Sequence, residues 1–470
     1  MFSNEPIIAL ATPAGAGAIA IIRISGQDAI QLASKHIVSK KGKTLANQKT
    51  HSIILGHVVD GKRVLDEVLV SVFKAPNSYT GENIVEISCH GSTYIQQEIV
   101  QLFLRNGCRT ADAGEFTLRA FLNGKIDLSQ AEAVADVIAS DNAASHQIAI
   151  QQMRGGFSNE IKELRAELLN FASLIELELD FAEEDVEFAN REQFTKLLNR
   201  LSLVLKRLID SFAVGNVIKN GIPVAIVGEP NVGKSTLLNS LLNEDRAIVS
   251  EIAGTTRDTI EDEIAIEGIG FRFIDTAGIR ETTDVVEGIG IKKTFEKIKQ
   301  AQVVLYLVDG ALLSDISKIS ALKIEIEKIK NQFPLKSTLL LINKADKITE
   351  TATAFIQKQL NSLSDPLKFI FMSAKTGVGV EDLKLELLGL INTGALRNNE
   401  TIVTNSRHYN SLLKALEEIQ KVQYGMDAGF SGDLLAIDIR QALFHFGEIT
   451  GEITSDDLLG NIFANFCIGK

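Results

Sequence analysis

The segment PVAIVGEPNVGKSTLLNSLL, residues 223–242, constrains the fold more than any other. It opens as an apolar run of strand length, turns through a glycine-rich stretch and continues with helical periodicity. Gly228 to Ser235 fits the pattern GxxxxGK[ST]. A strand that feeds such a turn and then a helix belongs to an α/β layer, because the helix packs back onto the sheet. The texture persists through Ser373: FRFIDT, VVLYLVD, STLLLIN and LKFIFMS are short apolar runs, and amphipathic stretches separate most of them. This predicts a mostly parallel sheet with helices on its faces.

The turn also carries chemistry. Its glycines let backbone N–H groups point inward, and the helix N-terminus adds the positive end of its dipole, so the loop Gly228, Asn231, Val232, Gly233, Lys234, Ser235 and Thr236 suits phosphate. Lys234 is long enough for the β- and γ-phosphate oxygens, and the Ser235 hydroxyl suits Mg²⁺. Asp275-Thr276-Ala277-Gly278 follows a strand, where an acid can hold Mg²⁺ through water and a glycine N–H can meet the γ-phosphate. Between these motifs, Thr255 and Thr256 offer a second Mg²⁺ hydroxyl. Asn343-Lys344-Ala345-Asp346 follows STLLLIN; the Asp346 carboxylate can accept both the ring N–H and the amino N–H of guanine. Ser373-Ala374-Lys375 follows FIFMS and fits the loop that closes over the base. Five elements in this order resemble a GTPase of the translation-factor-related P-loop class. One departure matters. Ras-like switches place a water-orienting Gln after DxxG, whereas Ile279 stands here. Another group must orient the water; Arg280, Glu281, Asp284 and Glu287 are nearby, each by default a solvated charge.

The flanks have different periods. Residues 1–123 carry short β-rich runs with interleaved helical candidates at 27–37 and 92–105, an α+β pattern. From 124 to 217, apolar residues recur at spacings of three and four, as in a helix bundle. INTGALRNNE near 392 reads as a linker, and helical periodicity returns over 406–424 and 433–446. The expected organisation is α/β and α+β multidomain: an α+β domain over 1–123, helical sequence over 124–217 and 393–470 forming one discontinuous domain, and a P-loop domain over 218–392 inserted in it.

The net charge of -12 excludes a protein that coats nucleic acid along a broad basic face. Charge is uneven: residues 1–123 hold 12 basic and 10 acidic side chains, and residues 124–220 hold 10 and 16. No run of 18 or more uncharged apolar residues predicts a membrane span, and the N-terminus lacks a basic region ahead of an apolar one. Three cysteines, none in a CxxC pair, cannot form a disulfide framework. A cytoplasmic protein is expected.

With both flanks, the chain resembles the tRNA-modification GTPase family known as MnmE or TrmE. The resemblance covers essentially the whole sequence. It rests on NSYTGEN (77–83), GEFTLRAFLNGKIDLSQAEAVADVI (114–138), GEPNVGKST, EIAGTTRD, DTAGIRET and the terminal Cys467-Ile468-Gly469-Lys470. It implies an N-terminal domain that dimerises and binds a reduced folate (5-formyl- or methylene-tetrahydrofolate), making the chain a homodimer. It implies that the loop Ser250, Glu251, Ile252, Ala253, Gly254, Thr255, Thr256 contacts GTP, with Ser235 and Thr256 on Mg²⁺. It further implies that K⁺, held by Asn231 with Ser250, Ile252 and Thr255, stands where an arginine finger would. Glu287 would orient the attacking water. Arg23, Glu82, Lys125 and Lys470 match the folate site, and Cys467 is a cysteine required for modification. The implied activity is K⁺-dependent GTP hydrolysis. With a FAD-containing partner of the MnmG (GidA) type, it installs a C5 aminomethyl or carboxymethylaminomethyl group on the wobble uridine of certain tRNAs.

By composition alone, Arg23, Glu82, Lys125 and Lys470 are surface charges, and Cys467 is a small apolar residue. Cys89 and Cys108 read as structural. Gly15-Ala16-Gly17-Ala18-Ile19-Ala20 matches GxGxxA, but AIAIIRIS after it reads as strand where a dinucleotide site needs a helix, so FAD belongs to the partner. The acidic run Glu176 to Glu187 reads as a solvated or partner-facing surface. The competing classes are a ribosome-assembly or RNA-binding switch GTPase and a pure dimerisation switch.

Overall fold

The computed structural model describes residues 5–180, 190–245, 262–274, 295–313, 315–334, 336–361, 367–390, 401–464 and 466–469. Contacts divide the chain into two compact units: one of residues 1–138, 151–202 and 414–470, the other of residues 139–150 and 203–413.

The first unit contains a seven-stranded sheet, in the order β3-β4-β5-β6-β2-β1-β7. Its strands are β1 (Ile7–Leu10), β2 (Ile19–Ser25), β3 (Ile37–Ser39), β4 (Ser52–Asp60), β5 (Arg63–Phe73), β6 (Ile84–His90) and β7 (Arg109–Thr110). All neighbours are antiparallel except the parallel pair β1–β7. Helices α1 (Ala29–His36) and α2 (Thr93–Arg105) lie where periodicity placed them. Alternation decides which face they cover. Ile54, Val58, Val68, Val70, Val72, Val85 and Ile87 form one core with Ala29, Ile30, Ile99 and Phe103. The residues GxGxxA run into β2, a strand, as expected. Strands β3 and β7, of three and two residues, were missed because so short a segment shows no period.

The helices α3 (Glu115–Leu122), α4 (Leu128–Ala139), α5 (Ala143–Met153), α6 (Gly156–Asp180) and α7 (Arg191–Asn220) follow. In α6, Phe157, Ile161, Leu164, Leu168, Ala172 and Ile175 are buried at spacings of three and four, one apolar stripe.

The second unit contains a six-stranded sheet, in the order β13-β12-β11-β8-β10-β9. Its elements are β8 (Ile222–Val227), α8 (Lys234–Asp245), β9 (Asp262–Ile266), β10 (Ile269–Phe273), β11 (Val303–Asp309), α9 (Ile316–Gln332), β12 (Ser337–Asn343), α10 (Glu350–Asn361), β13 (Phe369–Phe371) and α11 (Val380–Gly389). Only the edge strand β9 runs antiparallel to its neighbour. Val224 and Ile226 belong to a core on one face, and Ala225 and Val227 to a core on the other. A strand covered on both faces needs apolar residues at every position, which is why PVAIV reads as continuous. Strand order reverses at β8: β10 and then β9 lie on one side and β11, β12 and β13 on the other. In open α/β sheets this is where ligands bind, beyond the strands' carboxyl ends.

The chain closes with α12 (Ser406–Asp427), α13 (Gly432–Thr450) and α14 (Asp456–Phe463). Helix α13 starts after extended Ser431, ends at left-handed Gly451 and packs on α6. Among the described residues, no helix is long and apolar enough to cross a membrane.

Candidate functional site: a nucleotide loop and an N-terminal charged cluster

Strand β8 delivers Gly228 to the point where strand order reverses. Gly228 has φ +145°, and a Cβ there would stand 2.1 Å from the Leu307 carbonyl oxygen; at Gly233, φ is +104° and a Cβ would stand 2.3 Å from Asn343 Nδ2. Both positions need glycine for space as well as for conformation. Asn231 is left-handed, at φ +64°. The Lys234 ammonium lies across this turn, donating to the carbonyls of Gly228 at 2.6 Å and Glu229 at 2.9 Å. Burial, then the charge of Lys297, lowers its pKa. Such a cation gains by meeting an anion. Ser235 and Thr236 are exposed in the first turn of α8, whereas Val232 is buried.

Asn343 ends β12, buried. Its Nδ2 donates to the Val232 carbonyl at 2.7 Å, and its Oδ1 accepts the Ala374 amide at 2.9 Å. One side chain therefore ties the phosphate-type loop to the Ser373-Ala374-Lys375 loop. The Ser373 hydroxyl donates to Asp346 Oδ1 at 2.7 Å. That bond, against slight desolvation, holds the exposed Asp346 carboxyl below its ordinary value. The result is an ionised carboxylate facing outward, able to accept two N–H groups. Lys344, left-handed at φ +62°, donates to the Asn231 carbonyl at 3.0 Å and pairs with Asp309 at 2.6 Å. Lys375 is exposed. Asp309 was not singled out from the sequence; the available signal was an acid closing the strand VVLYLVD. Ser250, Glu251, Ile252, Ala253, Gly254, Thr255, Thr256, Asp275, Thr276, Ala277, Gly278, Glu287 and Lys470 lie outside the described residues, as do Ile279, Arg280, Glu281 and Asp284.

A second cluster occupies the first unit. Arg23 in β2 pairs with Glu86 through Nε at 2.8 Å and Nη2 at 2.7 Å. Its guanidinium lies over the Tyr79 and Phe116 rings, 5.7 and 5.6 Å from their centroids. Arg23 Nη1 is 3.5 Å from the Gly469 carbonyl oxygen. The terminal segment is pinned there: Ile468 bridges Ala113, and the Gly114 amide donates to the Cys467 carbonyl at 3.4 Å. Cys467 itself is exposed, whereas burial pushes the Cys89 and Cys108 thiols to about 11. Glu82 accepts from Ser25 Oγ at 2.7 Å and from Arg119 Nη1 at 3.1 Å to each oxygen. A carboxylate has about four acceptor positions, so Oε1 keeps one for another donor. Lys125 is exposed and donates to the Pro76 carbonyl at 3.0 Å. Ser25 and Arg119 were missed by sequence reasoning, because only tertiary packing brings them to Glu82; Thr80, two residues before it, accepts the Glu82 amide at 3.2 Å. Glu176 and Glu178, in the acidic run, pair with Arg440 and Arg191. Among the described residues no group of His, Cys, Asp and Glu could hold a metal ion.

The family model for the MnmE helical domain matches residues 128–467, and that for the GTP-binding protein TrmE N-terminus matches residues 6–125. The chain belongs to the MnmE family of tRNA modification GTPases. A tRNA modification GTPase MnmE of Flavobacterium johnsoniae is 70% identical over 470 residues, covering 100% of both chains. Those of Flavobacterium psychrophilum and Christiangramia forsetii are 70% and 69% identical, covering 100% and 99% of both chains.

Proposed function

We propose that this tRNA modification GTPase hydrolyses GTP in a K⁺-dependent manner and that hydrolysis drives a conformational cycle in wobble-uridine modification. The observation that carries the nucleotide reading is the Asn343 bridge. It fixes the guanine-type carboxylate loop against the phosphate loop, so base and phosphate recognition are set by one buried amide. The Gly228–Ser235 backbone and Lys234 would bind the phosphates, with Ser235 and Thr256 on Mg²⁺. Asn231, turned outward in a left-handed conformation, would hold K⁺ with Ser250, Ile252 and Thr255. A cation there neutralises charge developing between the β- and γ-phosphates. Glu287 would orient the water. Hydrolysis should be much faster in K⁺ than in Na⁺; equal rates would sink the assignment. Glu287→Ala should keep GTP binding and lose turnover.

The cluster around Arg23 would take a reduced folate, with its one-carbon unit near Cys467. Cationic Arg23, Lys125 and Lys470 suit a glutamate tail, and the acceptor left on Glu82 Oε1 suits an amino-pyrimidine N–H. Folate supplies a one-carbon unit when bound; this chain's residues orient it. Dimerisation is supported by the uncovered sheet face, where Ile19, Val38, Ile53, Leu55 and Leu69 are 43–68% exposed. An apolar face of this kind marks an interface. Redox chemistry would come from a FAD-containing MnmG-type partner. Mass spectrometry of wobble uridine from a deletion strain tests the whole reading: unmodified uridine supports it, and normal modification removes it.

A further inference from the structure

Between Asp28 and Asp60 lies the longest stretch of the chain without an acidic residue. Residues 29–59 hold five lysines (Lys35, Lys40, Lys41, Lys43, Lys49) and three of the seven histidines, in a protein of net charge -12. The structure gathers most of this charge at one place. Lys40, Lys41, Lys43 and Lys49 sit on the loop that leaves β3, the edge strand, and returns to β4; Lys35 ends the helix before it.

The loop is built, not merely charged. Leu45 is 1% exposed and plugs it into the sheet core. Lys74 clamps it, donating its Nζ to the Ala46 carbonyl at 2.9 Å and its amide to Thr50 Oγ1 at 3.0 Å. Turns close within it from Gly42 to Ser39 at 3.1 Å and from Gln48 to Leu45 at 3.0 Å. With its apolar residue inward, the loop turns its lysines out: Lys41, Lys43 and Lys49 are exposed, as is Lys35 on the helix before it. Lys40 is neutralised by Glu67, which also meets His57. Among the described residues, no acidic side chain pairs with the other four.

A single run of charge is ordinarily a solvated face. Here three unpaired ammonium groups, Lys41, Lys43 and Lys49, are held at a sheet edge by a plugged and clamped loop that itself contains no acid, and Lys35 adds a fourth from the helix before it. Such an arrangement suits a polyanion whose own charges are closely spaced, and a phosphodiester backbone is one. We infer that this loop, with Lys41, Lys43 and Lys49 at its centre, is a contact surface for the tRNA phosphate backbone. The inference rests on the reading of tRNA as substrate. Residues 29–59 hold no Phe, Tyr or Trp, and their three histidines are engaged by Phe103, Phe73 and Glu67, so the loop positions RNA without reading bases. It should contribute equally to different tRNAs.

The test is fluorescence anisotropy of a labelled, unmodified tRNA transcript with the full chain, across a salt series. Lys41→Gln, Lys43→Gln and Lys49→Gln together should weaken binding by about tenfold or more. They should also lower the slope of log affinity against log salt by about two to three, since each phosphate contact contributes roughly 0.7–0.9. GTP hydrolysis and melting temperature should not change, and replacement of the three lysines by Arg should restore binding. If the unsubstituted chain binds no tRNA, the substrate reading and this surface both fall. If it binds tRNA and the Gln variant binds equally with the same slope, the surface alone falls. Unchanged tRNA binding with lost affinity for an acidic protein partner also overturns the RNA assignment.

Discussion

Arg119 Nη1 stands 3.1 Å from both carboxylate oxygens of Glu82, while its Nη2 stands 3.0 Å from Glu115. Arg119 and Glu115 side chains are 8% and 6% exposed. The guanidinium thus joins a buried structural acid to the one acid proposed to meet folate. Removing one partner of a buried ion pair leaves a charge without compensation and costs about 3–5 kcal/mol. Arg119→Ala should therefore destabilise the N-terminal unit by about that amount and abolish folate binding. Chemical denaturation and folate titration measure both, and a loss below about 1 kcal/mol would show that the pair holds nothing in place.

The same network predicts a pH response. Burial alone would raise the Glu115 carboxyl; hydrogen bonds from Arg109, the Asp112 amide and Arg119 outweigh it and hold it below its ordinary 4.5. A depressed folded-state value gives stability that is complete above the unfolded-state value and lost as pH falls through the folded one. Melting temperature should drop on acidification below about pH 4.5, and less steeply in Glu115→Gln, which has no proton to take up. Parallel pH profiles for the two proteins would remove Glu115 from the effect.

These residues show what the sequence could and could not disclose. The phosphate loop and Asp346 were legible because strand, turn and helix are contiguous, so their geometry follows from local pattern. Arg119 and Ser25 were not, because Ser25 meets Glu82 across 57 positions only once β2 has paired with β6, and Arg119 meets it across 37. Asp309 was invisible for another reason. An acid at a strand end is common, and its partner Lys344 is fixed by the parallel register of β11 and β12, which sets Asp309 opposite Asn343.

Asp346 should decide the base. Its carboxylate accepts two N–H groups from guanine, and each hydrogen bond to a charged group contributes about 1.5–3 kcal/mol. Asp346→Asn replaces one acceptor by a donor. GTP affinity should fall at least about 100-fold, while xanthosine triphosphate, which offers a carbonyl where guanine offers an amine, should bind better than to the parent. Equal GTP affinity in parent and variant would reject the assignment.

Gly233→Ala should separate nucleotide binding from folding. The new Cβ would stand 2.3 Å from Asn343 Nδ2, at a φ of +104°. The strain is about 1–3 kcal/mol and falls on the amide that joins the two loops. The variant should keep its secondary structure by circular dichroism and lose GTP binding; undiminished binding would mean that the Asn343 bridge is dispensable.

The terminal segment yields the last prediction. Gly469 has φ +99°, and a Cβ there would stand 2.3 Å from the Leu10 carbonyl oxygen. Gly469→Ala should therefore push the tail off the N-terminal sheet. Cys467→Ser should leave it docked, because Cys467 is exposed and is held through its backbone carbonyl by the Gly114 amide at the start of α3. Both variants should hydrolyse GTP at the parent rate, since neither residue belongs to the nucleotide-binding unit. Both should lose wobble-uridine modification, one by displacing the cysteine and the other by removing its thiol. Carboxypeptidase distinguishes the causes: it should trim Gly469→Ala rapidly and Cys467→Ser no faster than the parent. Modification at parent levels in Gly469→Ala, with the tail shown to be released, would mean that the cysteine acts from elsewhere than its docked position against Gly114.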